Sequence, residues 1–236
     1  MSNLEEQEEL KIGRKLSEDI VDDETVNKLK KNGTIIGAFV VIVLLAVGYV
    51  YYTTSEKEKA SQEASMALSK VLPEYDGGNY SVALDGGTNA AGMEVTGLVK
   101  IADKFSSVNE GKLAALYAAN AYVNSGDFSK AKTYFEQAGD SDADIVQSGA
   151  YAGLALCHEE EGNFEKAAKN YQKAADKLNE DVLKSKYLYF SALNYEQANN
   201  KDEAKKIYES IVEISGSSEF GSKSKVKLSM LGTKID

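Results

Sequence analysis

The 236-residue chain has no tryptophan, one proline, one cysteine and one histidine. A single cysteine cannot close an internal disulfide, so stability has to come from packing. Cys157 and His158 cannot alone complete the four-ligand set of a structural zinc site. One imidazole leaves a Ser–His–acid relay with a single candidate base, and that base falls in a packing position described below. Basic residues are outnumbered, 27 Lys and Arg against 37 Asp and Glu, giving a formal net charge of −10. Nucleic-acid binding needs a basic footprint that this balance does not supply. The same deficit argues against a peripheral role on anionic lipid. Gly87 and Gly92 do not make a phosphate loop, because no Lys-Ser/Thr follows and no strand precedes. The chain is therefore expected to be no enzyme, to hold no cofactor or metal, and to act on no small-molecule substrate.

Long apolar runs are absent except for one. Thr34 to Tyr52 reads TIIGAFVVIVLLAVGYVYY and carries no charge. A bilayer core of roughly 30 Å needs about 20 such residues in a helix. The run exceeds a signal-peptide core of about 7–15 residues, and no A-x-A-like site follows it. It is expected to be an uncleaved anchor, with Tyr49, Tyr51 and Tyr52 at its far interface. Lys28, Lys30 and Lys31 precede it closely, and Lys11, Arg14 and Lys15 lie within reach; Lys57 and Lys59 follow, interleaved with Glu56 and Glu58. The positive-inside rule then places the N-terminus in the cytoplasm and the C-terminal domain across the membrane, in the periplasm of a Gram-negative host.

Before the run, Ile12, Leu16 and Ile20 could line a short helix, but the acidic composition of residues 1–32 favours a mobile tail. After it, residues 55–75 keep helical periodicity, with Ala60, Ala64, Ala67, Leu68, Val71 and Leu72 on one side. The membrane helix is expected to continue or restart through this stretch and to end at Pro73, which lacks a donor. NYSVALDGG, from Asn79, begins like the second helix of a repeat with Ala83 in a small-residue slot, and Gly86-Gly87 cuts it short. A helix is expected from about Met93 to Phe105.

The strongest pattern is a spacing of nine that recurs three times: Tyr122 to Ala131, His158 to Ala167, Tyr195 to Ala204. An aromatic follows each alanine by four: Phe135, Tyr171, Tyr208. A small residue precedes each Tyr or His by three: Ala119, Ala155, Ala192. Paired small residues let two helices approach closely, and the aromatics fill the gap to the next pair. Gly126, Gly162 and Asn199 fall where the intervening turn needs a left-handed residue. Cys157 and His158 are then packing residues. Short insertions at 139–141 and 179–181 absorb the two or three residues by which the spacing exceeds a regular repeat. Glu219–Leu231 reads as a final capping helix, with Val226, Leu228, Met230 and Leu231 as its apolar residues.

These units resemble tetratricopeptide repeats, helix–turn–helix pairs of about 34 residues that stack and cannot bury their apolar faces alone. The implied fold is all-α, a single N-terminal transmembrane helix followed by an α-solenoid of repeats. The expected organisation is a cytoplasmic tail over 1–32, a transmembrane helix over 33–53, a membrane-proximal helix and divergent capping repeat over 54–111, three repeats over 112–215 and a C-terminal capping helix over 216–236. The whole arrangement, with GLVKIADKFSS at 97–107, LAALYAANAYVNSGDFSKAKTYFEQ at 113–137 and KNYQKAADKLNED at 169–181, is similar to the YfgM-like family of Bacteroidetes-type bacteria, ancillary subunits of the SecYEG translocon. That resemblance implies partners: the translocon, a membrane-anchored periplasmic prolyl isomerase and unfolded clients as they emerge. It supplies no catalytic residues.

In stacked repeats of this kind the first helix of each pair lines the groove. The residues that avoid the internal slots there are Leu113, Leu116, Asn120, Val123 and Asn124, then Ala152, Leu156 and Glu159, then Lys186, Tyr189, Leu193 and Glu196. The first set is apolar with Asn donors, the second acidic, the third mixed. Such a face suits extended apolar or basic segments. The function expected is a membrane-anchored protein-interaction scaffold of the translocon with a chaperone-like role. The alternative is an envelope scaffold for another machine, in cell division or secretion.

Overall fold

In the computed structural model, residues 23–89 and 91–232 are described. Ten helices and one two-stranded hairpin occur among them, in two compact units divided between Glu56 and Lys57. Residues 1–22, including Ile12, Leu16 and Ile20, lie outside the described residues.

Helix α1 spans Asp23–Asp76, so it begins within the N-terminal segment 1–32. Among the described residues it is the one helix long and apolar enough to cross a membrane. Every large apolar side chain from Phe39 to Tyr52 is exposed. Pro73 does not end α1 but sits inside its last turn. A proline removes one bond to the carbonyl four residues back, a loss that a helix about to terminate tolerates. The end comes at Gly78, whose φ is +77°.

The second unit begins within α1, where Ala64, Leu68 and Val71 are buried. Helix α2 (Tyr80–Asp85) follows, then strands β1 (Gly86–Thr88) and β2 (Glu94–Thr96), helix α3 (Leu98–Lys104), and seven more helices. These are α4 (Asn109–Asn124), α5 (Phe128–Gly139), α6 (Asp144–Glu160), α7 (Phe164–Asp176), α8 (Asp181–Gln197), α9 (Lys201–Ser215) and α10 (Glu219–Met230). The hairpin corrects the expected helix from Met93. β1 and β2 pair antiparallel with Gly87 opposite Val95, and only Val95 of β2 turns inward. The short alternation of Glu94, Val95 and Thr96 and the extended Gly97 outweigh helical periodicity until Leu98.

Consecutive helices pack antiparallel through the predicted small residues. Ala119, Ala131, Ala155, Ala167, Ala192 and Ala204 are fully buried, as are Phe135 and Tyr208. The turns between paired helices share one geometry. Gly126, Gly162 and Asn199 have φ of +77°, +71° and +59°. The next amide donates back to the carbonyl of Tyr122, His158 or Tyr195 at 2.8–2.9 Å, and the turn residue itself donates to Val123, Glu159 or Glu196 at 2.9–3.0 Å. This is the Schellman closure, which needs a left-handed residue after the helix. The end of α1 repeats it: Asn79 donates to the Glu74 carbonyl at 2.8 Å and Gly78 to Tyr75 at 3.0 Å. Nine residues separate Glu74 from Ala83, so α1 and α2 repeat the same paired-helix turn before the three regular pairs.

At the other end, α10 buries Leu228 and half-buries Leu231, while Val226 and Met230 are exposed. The expected apolar face of this helix is therefore only half used. Val226 and Met230, four residues apart, are covered by no neighbour among the described residues.

Candidate protein-interaction surface

The predicted surface lies along α4, α6 and α8, the first helix of each regular pair. All of its residues are half-buried except Asn124, which is exposed. Their surroundings divide them into two groups, one tied into the packing and one left on the face.

The first group packs. Leu113 and Leu116 lie against the core formed by α1, α3 and α4. Leu116 also leans on the next pair, where a Cβ on Gly149 would stand 3.2 Å from its Cδ2. Val123 joins Phe135, Ala131 and Cys157 in a second cluster, and Ala152 borders Tyr171 in a third. Tyr189 contacts Phe190, Tyr208 and Phe220 with ring centroids 6.4, 5.7 and 5.7 Å apart.

Glu159 and Glu196 also belong to the stack's internal bonding. Glu159 accepts from the Tyr171 hydroxyl at 3.2 Å and from Asn194 Nδ2 at 2.5 Å. Glu196 accepts from the Tyr208 hydroxyl at 2.5 Å and from Lys227 Nζ at 3.1 Å. Each acid therefore bonds within its own pair and also to the following helix. The phenols of Tyr171 and Tyr208 are pushed up, first by burial and then by these neighbouring carboxylates. The first pair makes the same contact without polarity: Val123 and Phe135 stand at the same separation of twelve residues and share one apolar cluster.

The second group is open. Asn120 and Asn124 donate to carbonyls of their own helix, Leu116 at 2.9 Å and Asn120 at 2.8 Å. Their amide oxygens accept no hydrogen bond among the described residues, leaving two acceptors one helical turn apart. Leu156, Leu193 and Lys186 complete the open part, with Lys186 Nζ 5.9 Å from the Tyr187 ring centroid.

His158 occupies the slot filled by Tyr122 and Tyr195, yet its Nδ1 meets Glu161 at 3.0 Å. Lys132 of the preceding pair and Asn163 also bond Glu161, both at 2.8 Å. Lys132, then Asn163 and His158, hold the Glu161 carboxyl down to about 2. Burial raises the Cys157 thiol to about 11, which removes thiolate chemistry near neutrality. The Glu161 cluster, the inter-pair bonds of Glu159 and Glu196, and the buried Glu74 are polar features that sequence spacing did not reveal. The nine-residue rule finds Glu74 once the slot is allowed to hold an acid.

A family model described as a tetratricopeptide repeat-like domain matches residues 29–233. The chain belongs to that family. Comparison with curated proteins finds no match.

Proposed function

We propose that this tetratricopeptide repeat-like protein is a membrane-anchored scaffold, an ancillary subunit of the Sec translocon whose repeat domain stands in the periplasm and receives proteins as they emerge. The observation that carries the reading is one chain joining an interaction fold to a helix whose large apolar side chains, Phe39 to Tyr52, are all exposed. The uncharged run from Thr34 to Tyr52 is close to the length of about 20 residues that a bilayer core takes, which supports an anchor. The lysines before it support a cytoplasmic N-terminus. Within the repeats, Asn120, Asn124, Leu156, Leu193 and Lys186 are the face offered to an extended client or to a membrane-anchored prolyl isomerase. The resemblance to the YfgM-like family supports the choice of the translocon.

Affinity purification from solubilised membranes tests this. SecY and a periplasmic prolyl isomerase among the stoichiometric partners is the expected result. A division or secretion machine in their place would replace the translocon reading with the alternative scaffold. A reporter active only outside the cytoplasm, fused after Asp236, should be active; an intact but silent fusion would reverse the orientation.

A further inference from the structure

A cleft of about 560 Å³ opens where the last turns of α1 face the β1–β2 hairpin. That volume falls in the range of roughly 300–1,000 Å³ typical of ligand sites. It lies apart from the face along α4, α6 and α8. Its origin can be read in the repeat pattern. In each regular pair an aromatic stands four residues after the small-slot alanine: Phe135, Tyr171 and Tyr208. Four residues after Ala83 comes Gly87, in β1. The helix that would carry the ring is cut at Asp85, and the hairpin is folded back in its place. The base of the hairpin is pinched so tightly that a Cβ on Gly97 would meet the Leu84 carbonyl oxygen at 2.2 Å. At its tip the Asn89 side chain accepts from the Ala91 and Met93 amides at 3.1 and 2.9 Å, which fixes that wall.

The residue in the Tyr/His slot of this pair is Glu74, and it lines the cleft. It is 8% exposed. Its Oε2 accepts from Asn79 Nδ2 at 3.0 Å, and no second side-chain partner is found among the described residues. Its other oxygen is not among the buried polar atoms that lack a partner, so it reaches solvent and is free to accept from an incoming donor. Pro73 and Ser69 line the same cleft beside Glu74. The site thus offers the Glu74 carboxylate over an apolar floor of Pro73 and Val95, with the flexible, exposed thioether of Met93 as an adaptable wall. Glu94 on the rim adds a second acid against one base, Lys70.

We infer that this cleft binds an organic cation with several N–H donors on an apolar body, the chemistry of a guanidinium or amidinium group. The apolar part lies on Pro73, Val95 and Met93 while the cation bonds Glu74, with Glu94 on the rim. The group could be a free small molecule or the arginine side chain of a polypeptide.

Methyl NMR on the full chain in detergent tests this, with the methionines labelled at the methyl carbon. The chain has four methionines, so Met93 reports the cleft and Met230, on α10, serves as the distant control. Benzamidine should shift Met93 saturably and leave Met230 unmoved, while the neutral isostere benzamide should not. Acetyl-Leu-Arg-Leu-amide binding more tightly than benzamidine, and its citrulline analogue not binding, would identify a polypeptide side chain as the source. The reverse order would identify a free small molecule. Glu74→Gln should weaken benzamidine by about tenfold or more, the scale of one charged hydrogen bond. Lys70→Glu, at an exposed position with no packing role, should strengthen it. Equal shifts with benzamide, no Met93 shift with either cation, or benzamidine binding unaltered in both variants would overturn the inference.

Discussion

Gly153→Ala should destabilise the stack although it improves the helix. Gly153 lies in the middle of α6, where exchanging glycine for alanine ordinarily gains about 1 kcal/mol. Here the new methyl would sit 2.2 Å from both Cε1 and Cζ of Phe135 and 2.5 Å from Cδ1. Carbon atoms at rest stand about 3.5–4.0 Å apart, so the ring must withdraw by more than about 1 Å, a distance estimated from that contact range. It has nowhere to go, because Phe135 is fully buried among Ala119, Ala131 and Cys157. Overpacking of this kind costs about 1–3 kcal/mol, which exceeds the propensity gain over most of its range. Urea unfolding of the detergent-solubilised chain, followed by far-UV circular dichroism, should show a lower midpoint with helicity before the transition unchanged. Phe135→Leu, made alone, should also destabilise, since it leaves a cavity. The double variant is the decisive measurement. Leucine has no atoms where Cε1 and Cζ stood, so the methyl introduced by Gly153→Ala fills the space vacated. The two losses should then combine to less than their sum by about 1 kcal/mol or more. Simple additivity, or a Gly153→Ala chain as stable as the parent, would refute this packing account.

Gly162→Ala should cost about 1–2 kcal/mol, because the turn holds φ at +71° where a Cβ is strained; calorimetry that finds no loss would mean the turn rearranges. Ser191→Ala and Ser224→Ala should each stabilise by about 1 kcal/mol, since both hydroxyls are buried without a hydrogen-bond partner among the described residues. A fall in melting temperature for either would reveal a partner. The Glu161 carboxyl is held down to about 2, below the ordinary 4.5, so its stabilising contribution is full above that ordinary value and is lost as pH falls toward 2. A carboxyl-carbon titration should place it there, and Lys132→Met should move it upward. Cys157, fully enclosed and with its thiol raised to about 11, should resist iodoacetamide at pH 8 in the native chain and react promptly in urea.

The repeat skeleton was legible because its steric needs are narrow. Only small residues let the helices touch at Ala119/Ala131, Ala155/Ala167 and Ala192/Ala204, and only Gly or Asn sits comfortably at the three left-handed turns. Asn199 could be placed with the glycines because it is the residue that tolerates that conformation best after glycine. The hairpin was not legible. β1 is two glycines and a threonine, and β2 is three residues long, too short for an alternation to compete with the helical period around Leu98, Ile101 and Ala102. Pro73 misled in the other direction, since the cost of a proline depends on how much helix follows it, and here only three residues do. Along the groove, pattern alone could say that Leu116 and Tyr189 avoid the slots within a pair. It could not say that Gly149 and Phe220 come from neighbouring helices to cover them.

Glu159 and Glu196 carry the wider consequence. The position they occupy holds Val123 in the first regular pair, and its partner twelve residues on changes with it, from Phe135 to Tyr171 and Tyr208. A hydroxyl appears on the second helix wherever an acid appears on the first, so the ring can fill the same space while the acid gains a donor. The second oxygen of each acid is then satisfied from the following helix, by Asn194 in one case and Lys227 in the other. The acids therefore specify which helix stacks next and in what register, a role suited to buried polar groups whose removal leaves the partner unmet. It follows that negative charge along the first helices does not measure what the face offers a client. In the proposed reading, what remains for recognition is Asn120, Asn124, Leu156, Leu193 and Lys186 on the face and the Glu74 carboxylate in the cleft. Glu74 stands one residue earlier in its pair, in the slot of Tyr122, His158 and Tyr195 rather than that of Glu159 and Glu196, and lines the cleft beside the hairpin.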